Sequence, residues 1–366
     1  MLAVPVPSTK RSGGGDRRWT VAVDALAARF GGTAYAALQL TDALARRDDV
    51  AGVHLVAQRD SLIGQAVRPA ERVHPVLLVS PRRGELAWRV AYESARLPGL
   101  VGRRRADVLL TLSGMLPRRP AAPVVSLLAN PVPFVDGGVA NRLRRAAMHR
   151  TKRYALATYV PSTQMQEMVG GPRTRVVPLG VDFERFRPGD GPGSELLYVA
   201  DFYAHKRHDL LVAAWERLSE PRPRLRLVGN PAVDPATFAA VQRLAHDPRV
   251  VVAGRVSFVE LLRAFAGARA LVVPSERESF CMPLAEGAAC GIPAVVADHP
   301  VLRETAGPGA LVVPEATAEA WASALQRILS DDALHAELRM AALDHARRFS
   351  WDAMAAEVVR DCASRR

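Results

Sequence analysis

The chain is poor in cysteine and aromatic residues, and each scarcity argues against a class of protein. Its 366 residues include three cysteines, Cys281, Cys290 and Cys362, an odd number without metal-site spacing. That pattern argues against a disulfide framework and favours a reducing, cytoplasmic environment. Aromatic residues make up 6% of the chain, a poor supply of stacking platforms for nucleic acid. No apolar run approaches the ~20 residues of a membrane-spanning helix, so we expect a soluble protein.

Several motifs of catalytic and binding chemistry are also missing. The sequence has no DxD triplet, no HExxH and no clustered His/Cys ligand set, so a metal bound through those motifs is not expected. It also lacks the GxxxxGK[ST] phosphate loop, zinc-finger motifs and ribonucleoprotein signatures. We therefore predict no metal, no cofactor and no nucleic-acid partner.

The net charge of +12 is concentrated in the first half of the chain. Residues 1–185 carry 28 Lys plus Arg against 14 Asp plus Glu, whereas residues 186–366 carry 21 against 23. This asymmetry is typical of a domain that meets an anionic membrane surface, an acidic acceptor or nucleic acid. A surface rich in solvated arginines explains it equally well. Lys10, Lys152 and Lys206 are the only lysines, so a lysine here stands out from an arginine background.

The pattern of apolar segments predicts two α/β domains. A chain of this length exceeds what one core usually holds, and short apolar strands alternate with helical stretches such as 84–97. That alternation indicates parallel sheets covered on both faces. The predicted strands are 19–24, 53–57, 73–79, 107–112, 123–128, 196–201, 224–229, 249–254 and 270–274. The predicted parts are a disordered leader (1–18), an N-terminal Rossmann-like domain (19–187), a second Rossmann-like domain (188–348) and a C-terminal helix (349–366).

The most informative stretch, residues 274–298, reads as a loop, a short helix and a strand. Pro283 suits a helix start, because the N–H that proline lacks would be unpaired there. Gly291 followed by Pro293 ends the helix after about two turns. The backbone amides of Phe280, Cys281 and Met282 would then be free at the helix start, where a phosphate oxygen binds well.

Two glutamates accompany these amides. Glu278 falls in the loop, and we place Glu286 in the first helical turn, so both carboxylates can flank one pocket and face the hydroxyls of a sugar. A glutamate in a first turn is also favoured by the helix dipole alone. With Met282 as the N-cap, a capping-box glutamate would sit at Ala285, so capping does not explain Glu286.

This stretch resembles the signature of the retaining family-four glycosyltransferases of GT-B fold. There, two glutamates separated by seven residues precede a small residue, Gly, one residue and Pro, as Glu278 and Glu286 precede the segment Ala289–Pro293 here. The resemblance implies two doubly wound Rossmann-like domains facing a central cleft, with the C-terminal helix crossing back to the first domain. It also implies metal-independent, retaining transfer from a nucleotide sugar such as a UDP or GDP sugar. Ser279 and Cys281 depart from the family, which usually has glycine at both places.

The resemblance assigns roles to these residues. Glu278 would contact the donor sugar and Glu286 the ribose, while the amides of residues 280–282 would hold the diphosphate. Lys206 matches the lysine that neutralises the departing diphosphate. Asp201, however, stands where the family has an arginine.

Further positions follow from the same resemblance. Asn130 stands where many members place a histidine near the donor sugar; it equally well begins a turn before Pro131. Arg255 and Val256 are candidates for nucleobase contacts. Gly31 and Gly32 form a glycine turn that borders the acceptor and the donor phosphates, although a plain tight connection is as good an explanation.

The acceptor stays open at this stage, as a small molecule, a lipid or a glycan held by the N-terminal domain. Residues 139–156 predict a helix with six Arg or Lys and an apolar stripe. Such a helix can lie on an anionic membrane, which would place the protein peripherally on the inner membrane face. It can equally be an amphipathic helix packed on the sheet. The alternative function is a catalytically impaired, sugar-nucleotide-binding GT-B scaffold in a glycan or natural-product pathway.

Overall fold

The computed structural model describes residues 17–81, 83–116, 120, 122–189, 191 and 193–364. Of the predicted leader, only Arg17 and Arg18 lie within this part of the chain. Two positions of the Pro/Gly-rich linker that we placed at 188–193 lie outside it. The boundary between the domains therefore stays a prediction at those positions.

The first domain contains a sheet of seven parallel strands flanked by helices. Its strand order is β3-β2-β1-β4-β5-β6-β7. The strands are β1 (Trp19–Asp24), β2 (Val50–Gln58), β3 (Val73–Leu78), β4 (Val108–Thr111), β5 (Val124–Leu127), β6 (Ala157–Val160) and β7 (Thr174–Val176). The helices are α1 (Gly31–Arg46), α2 (Leu62–Ala66), α3 (Glu85–Ala95), α4 (Leu97–Arg103), α5 (Val132–Val135), α6 (Val139–Tyr154) and α7 (Thr163–Val169).

The second domain repeats this plan with six parallel strands in the order β10-β9-β8-β11-β12-β13. The strands are β8 (Glu195–Val199), β9 (Leu225–Val228), β10 (Val250–Gly254), β11 (Ala268–Val273), β12 (Ala294–Ala297) and β13 (Ala310–Val313). The helices are α8 (His208–Glu216), α9 (Pro235–Leu244), α10 (Phe258–Gly267), α11 (Met282–Ala289), α12 (Pro300–Ala306), α13 (Ala318–Ser330) and α14 (Asp332–Ala346), and the C-terminal helix α15 (Trp351–Ala363) follows them.

The predicted strands and the α/β class are confirmed. Each of the nine predicted strands coincides with an observed strand to within a few residues. All neighbouring strands of both sheets pair in parallel. Strands such as β4 and β5 are buried along their whole length, because helices cover both faces, and this explains why they read as continuous apolar runs.

The helical stretch predicted at 84–97 is interrupted. It consists of the end-to-end helices α3 and α4, which meet at Arg96. Pro98 in the first turn of α4 lacks the N–H that would donate to the Ser94 carbonyl in one continuous helix, which explains the break between α3 and α4.

The C-terminal helix α15 crosses back to the first domain, as expected. Ser350 caps its start by accepting a hydrogen bond from the Ala353 N–H at 3.2 Å. Near its end, the Asp361 carboxylate accepts 2.6 Å hydrogen bonds from the Tyr159 hydroxyl and the Arg175 guanidinium, both in the first domain. A largely buried network therefore fixes this helix on the first sheet. Of the helices in the described residues, none combines the length and the apolar character needed to cross a membrane.

Both sheets have a topological switch point, where the strand order reverses. These points lie between β1 and β4 and between β8 and β11. Ligands of open parallel sheets bind outside the carboxyl ends of the strands at such points. The loops after β8 and β11 contain Lys206 and Glu278, so the second switch point brings the two predicted site residues together.

The switch point of the first domain holds two buried acids. Asp24 ends β1 and accepts hydrogen bonds from the Leu26 N–H (3.2 Å) and the Thr111 hydroxyl (3.4 Å). Glu93 on α3 is 2% exposed and lies 3.4 Å from the Arg89 guanidinium. Burial raises the pKa of Asp24 to about 6, and burial together with the charge of Asp24 raises the pKa of Glu93 to about 9. Glu93 is therefore protonated in the folded protein at neutral pH.

This proton makes stability pH-dependent. An unfolded chain loses the Glu93 proton near pH 4.5, whereas the folded protein keeps it to about pH 9. The stabilisation from this group is therefore complete below pH 4.5 and is lost as the pH rises to 9, at up to about 1.4 kcal/mol per pH unit. Glu93→Gln, which cannot ionise, should lose less thermal stability than the wild type between pH 5 and 9 in calorimetry. Glu71→Gln, at an exposed position of the same domain, should follow the wild type; equal slopes for all three proteins would contradict this account.

Candidate active site

An ion pair joins the two loops of the second switch point. The Lys206 ammonium donates a hydrogen bond to the Glu278 carboxylate at 2.7 Å, and the two side chains are 15% and 11% exposed. The loops are also joined through their backbones, because the Glu276 N–H donates to the His205 carbonyl at 2.9 Å. An ammonium has three N–H donors, so Lys206 retains two for a ligand.

The start of α11 presents an amide cradle, as predicted from Pro283. Among the described residues, the N–H groups of Phe280, Cys281 and Met282 donate to no other group. The Phe280 carbonyl accepts a 2.6 Å hydrogen bond from the Thr305 hydroxyl, which fixes the peptide that carries the Cys281 N–H. These N–H groups, at the positive end of the helix dipole, are suited to an anionic oxygen.

Cys281 explains how a loop without the usual glycine makes this turn. It precedes α11 with φ 68° and ψ 72°, in the left-handed region that favours glycine. The Cys281 side chain is packed inward, and burial raises the pKa of its thiol, so it is not a reactive thiolate. The structure thus keeps the backbone turn that glycine normally provides and fills the space with a thiol.

Glu286 lies in the second turn of α11, so our placement in the first turn was wrong. The N-cap is Cys281, not Met282, and the first turn contains no acidic residue. The left-handed backbone at Cys281 starts the helix one residue earlier than Pro283 alone indicated. Stabilisation by the helix dipole, which fades beyond the first turn, is therefore a weaker explanation for Glu286.

The Glu286 residue is largely buried, and its carboxyl group has no partner among the described residues. It is 7% exposed and, within the described part of the chain, has no hydrogen bond or ion pair through its side chain. Burial, and to a smaller extent the charge of Asp182, raises its pKa to about 8. A largely buried carboxyl group with a raised pKa and no partner is typical of a binding site.

The first domain closes over this cradle. The Ser162 hydroxyl, after β6, donates to the Ser279 carbonyl at 2.8 Å. At the start of α1, a Cβ added to Gly32 would lie 3.1 Å from the Met282 sulfur. Gly31, the neighbouring predicted glycine, has a φ of 68° and open space around it. The start of α1 therefore lies against the start of α11.

Asp201 has a structural role in this protein. Its carboxylate accepts a 2.9 Å hydrogen bond from the Asn230 N–H and so ties the loop after β8 to the loop after β9. The guanidinium of the neighbouring Arg207 donates hydrogen bonds to the carboxylates of Glu276 (2.7 Å) and Asp209 and is thereby occupied. Lys206 therefore meets the cradle without an adjacent free arginine in the described loops.

The remaining predicted residues lie further from the ion pair in the fold. Asn130, exposed after β5, accepts a 3.0 Å hydrogen bond from the Val132 N–H, which is the turn geometry that we considered beside the catalytic role. Arg255 is exposed at the end of β10, and Val256 packs partly buried against the main core. The structure places both at the carboxyl edge of the second sheet, which suits contacts to a nucleobase.

Sequence analysis missed His299 and Tyr35. His299 follows β12, and the charges of Glu278 and Lys206 act on its imidazole, whose pKa burial lowers. Its Nδ1 accepts a 3.2 Å hydrogen bond from the Val301 N–H, so Nε2 carries the proton. A polar residue directly after a strand was the available signal for His299. Tyr35, on α1, gave no signal beyond an aromatic residue in an apolar stripe.

In the described residues, no group of three or more His, Cys, Asp or Glu side chains has the arrangement of a metal site. The groups of the cradle that can bind an anion are the cationic Lys206 ammonium and the neutral backbone N–H donors. These groups can hold a diphosphate through hydrogen bonds and charge.

Comparisons with known proteins agree with this geometry. Residues 183–346 match the family described as Glycosyl transferases group 1. A D-inositol 3-phosphate glycosyltransferase of Kineococcus radiotolerans is 32% identical over 49% of this chain and 49% of its own length. One of Mycobacteroides abscessus is 34% identical over 50% and 44%. The matches thus span about half the length of these curated relatives.

Solved structures extend the likeness to the whole fold. Sucrose-phosphate synthase of Thermosynechococcus elongatus superposes with a TM-score of 0.78 at 21% identity, covering 94% of this chain and 98% of its own. HepE of Anabaena, solved in complex with UDP and glucose, gives a TM-score of 0.74 at 16% identity, covering 95% and 100%. With its two facing domains and its crossing C-terminal helix, this chain has the GT-B fold, and residues 183–346, most of its second domain, match the glycosyl transferases group 1 family.

Proposed function

We propose that the protein is a retaining glycosyltransferase that transfers a sugar from a nucleotide-sugar donor to an acceptor held by the first domain. The observation that carries this proposal is the arrangement around α11. The Lys206–Glu278 ion pair, three free backbone amides and a buried, unpartnered Glu286 occur together where the two domains meet. A nucleotide sugar has a matching order of groups: sugar hydroxyls, a diphosphate and a ribose.

In this proposal the leaving diphosphate is the group that the cradle stabilises. When the bond between the sugar and the phosphate oxygen breaks, negative charge grows on the diphosphate. The Lys206 ammonium and the amides of residues 280–282 are already oriented toward such an anion, so little reorganisation is needed. Glu278, held by Lys206, would accept hydrogen bonds from the sugar hydroxyls, and Glu286 would bind the ribose.

Retention follows if the acceptor attacks from the face that the diphosphate leaves. The departing phosphate oxygen can then take the acceptor proton, so a protein base is not required. This agrees with Asn130, whose amide cannot act as a base, at the position where many relatives have a histidine. Asn130 would orient the donor sugar or the turn that contacts it.

The acceptor would bind at the switch point of the first domain, next to Asp24. The name of the curated relatives, D-inositol 3-phosphate glycosyltransferase, makes a phosphorylated cyclitol the first acceptor to test. The arginines of the first half supply the cations that a phosphate would need. Lipid and glycan acceptors follow in the same assay.

A donor panel tests the proposal. UDP-glucose, GDP-mannose and related nucleotide sugars are screened by thermal shift, and a donor at 100 times its dissociation constant should stabilise the protein by about 2.7 kcal/mol. Donors that bind are then incubated with acceptors while release of the nucleoside diphosphate is measured. Binding without release to any acceptor or to water would favour the scaffold alternative. No stabilisation by any donor would contradict nucleotide-sugar binding.

Lys206→Ala should lower turnover more than donor affinity. Its positive charge matters most when the diphosphate carries the added charge of the transition state. We expect kcat for donor cleavage to fall roughly 100-fold, as for loss of one oxyanion-stabilising donor, with a much smaller change in donor affinity by calorimetry. An equal loss in both quantities would contradict this role.

Arg217→Ala is the control for this experiment. Arg217 is an exposed cation of the same domain that pairs on the surface with Glu319 at 2.8 Å. Its removal should leave kcat and donor affinity unchanged, since an exposed ion pair contributes little. Thermal unfolding of both variants shows that the comparison is made between folded proteins.

We also propose that α6 contacts an anionic membrane surface. Its Val139 and Leu143 side chains are 63% and 67% exposed, and only Met148 and Thr151 of this helix are buried. The helix thus presents apolar and basic side chains outward together, which is typical of interfacial helices and unlike one packed fully on a sheet.

Charge reversal tests this contact. Arg142→Glu/Arg150→Glu changes two exposed arginines of α6 and should reduce sedimentation with phosphatidylglycerol vesicles at least roughly tenfold, since each surface cation contributes about 1 kcal/mol. Arg243→Glu/Arg327→Glu makes the same change in net charge on the second domain and should bind as the wild type does. Unchanged binding of the α6 variant would exclude the proposal.

A further inference from the structure

Tyr35 on α1 has a buried hydroxyl without a partner. Within the described residues this hydroxyl forms no hydrogen bond, although solvent does not reach it. Its ring lies 6.3 Å from that of Phe258, which begins α10 in the second domain. Tyr35 therefore extends from the first domain to the second, and a buried hydroxyl without a partner is costly unless a ligand completes it.

The Glu286 carboxyl group faces the same space from the other domain. The charges of Glu286 and Asp182 act on the Tyr35 hydroxyl and, after burial, are the largest causes that raise its pKa. Asp182 is occupied, because it accepts hydrogen bonds from the N–H groups of Glu184 (3.2 Å) and Arg185 (3.3 Å). Glu286 has no such partner. One free hydroxyl and one free carboxyl group thus meet where the domains face each other.

The backbone supports this placement independently. Gly32, one helical turn before Tyr35, lies against Met282, one turn before Glu286. Residues three or four apart share one face of a helix. The starts of α1 and α11 therefore touch, and Tyr35 and Glu286 each lie one turn beyond this contact. Arg255 and Val256 lie just before α10, which begins at Phe258.

We propose that Tyr35 is a nucleotide-binding residue contributed by the first domain, and that its hydroxyl and the Glu286 carboxyl group hold the ribose diol of the donor from opposite sides. This inference rests on the proposed function. A ribose diol both donates and accepts hydrogen bonds. Its hydroxyls donate to Glu286, one ribose oxygen accepts from Tyr35, and both unpartnered groups are satisfied.

This arrangement couples nucleotide binding to the approach of the domains. Glu286 alone belongs to the second domain, so without Tyr35 the nucleotide would be bound by that domain only. With the hydroxyl in place, the full ribose contact exists only when α1 lies close to α11. The nucleotide therefore favours the arrangement in which the acceptor and the donor share one space.

Tyr35→Phe tests the inference, since it removes one oxygen and keeps the ring. Affinities of UDP, GDP and ADP are measured by calorimetry on the full chain, and the tightest binder is repeated as its 2′-deoxy and 3′-deoxy forms. We expect Tyr35→Phe to bind the ribonucleotide roughly 5- to 20-fold more weakly. With the deoxy form that lacks the contacted hydroxyl, wild type and variant should differ less than twofold.

Tyr92→Phe is the matched control. Tyr92 lies on α3 of the same domain and packs against Trp88 with ring centroids 5.9 Å apart. This variant should bind every nucleotide as the wild type does. An unchanged ribonucleotide affinity in Tyr35→Phe, or equal weakening for the ribonucleotide and both deoxy forms, would overturn the role of Tyr35 and leave the proposed function intact. Failure of all three nucleotides to bind the wild type would instead overturn the proposed function itself.

Discussion

The pairing of Lys206 with Glu278 is the interaction on which the site depends. It joins the loops after β8 and β11, the two central strands of the second sheet, at the point where the strand order reverses. Without the cation, a nearly buried carboxylate would lack a partner; without the carboxylate, the ammonium would have none. The pair holds both loops in place, and the helix start that follows presents its amides beside them.

The sequence allowed the strands and most of the site to be predicted, for a physical reason. Strands covered on both faces must be apolar throughout, so they can be recognised from the sequence alone. The loop residues from Glu278 to Met282 were found because a proline, two acids and a following Gly-x-Pro are local features. What the sequence showed less well was geometry set by a single backbone angle. The left-handed conformation of Cys281 moved the helix start by one residue, which places Glu286 beyond the first turn.

Residues brought in from elsewhere in the chain were not predictable. Tyr35 lies some 250 residues before Glu286, and its hydroxyl matters only because two helix starts touch. Asp201 was recognisable as a departure, but its hydrogen bond to the Asn230 backbone was not. Glu93 looked like an ordinary helical acid, and only its burial beside Asp24 raises its pKa to about 9. Long-range contacts of this kind leave no periodic trace in a sequence.

The two chain crossings between the domains lie side by side. The first runs through Gly180 and Val181, and the second leads into α15; the Val181 N–H donates to the Phe349 carbonyl at 3.1 Å. A Cβ on Gly180 would lie 2.3 Å from the Trp351 nitrogen, so only glycine permits this contact. Because the two crossings are adjacent and joined by a hydrogen bond, they leave the two domains free to rotate about one short axis. They resist sliding of one domain along the other. Opening of the cleft would then be a rotation of the domains, and each closure would bring the starts of α1 and α11 back into the same contact.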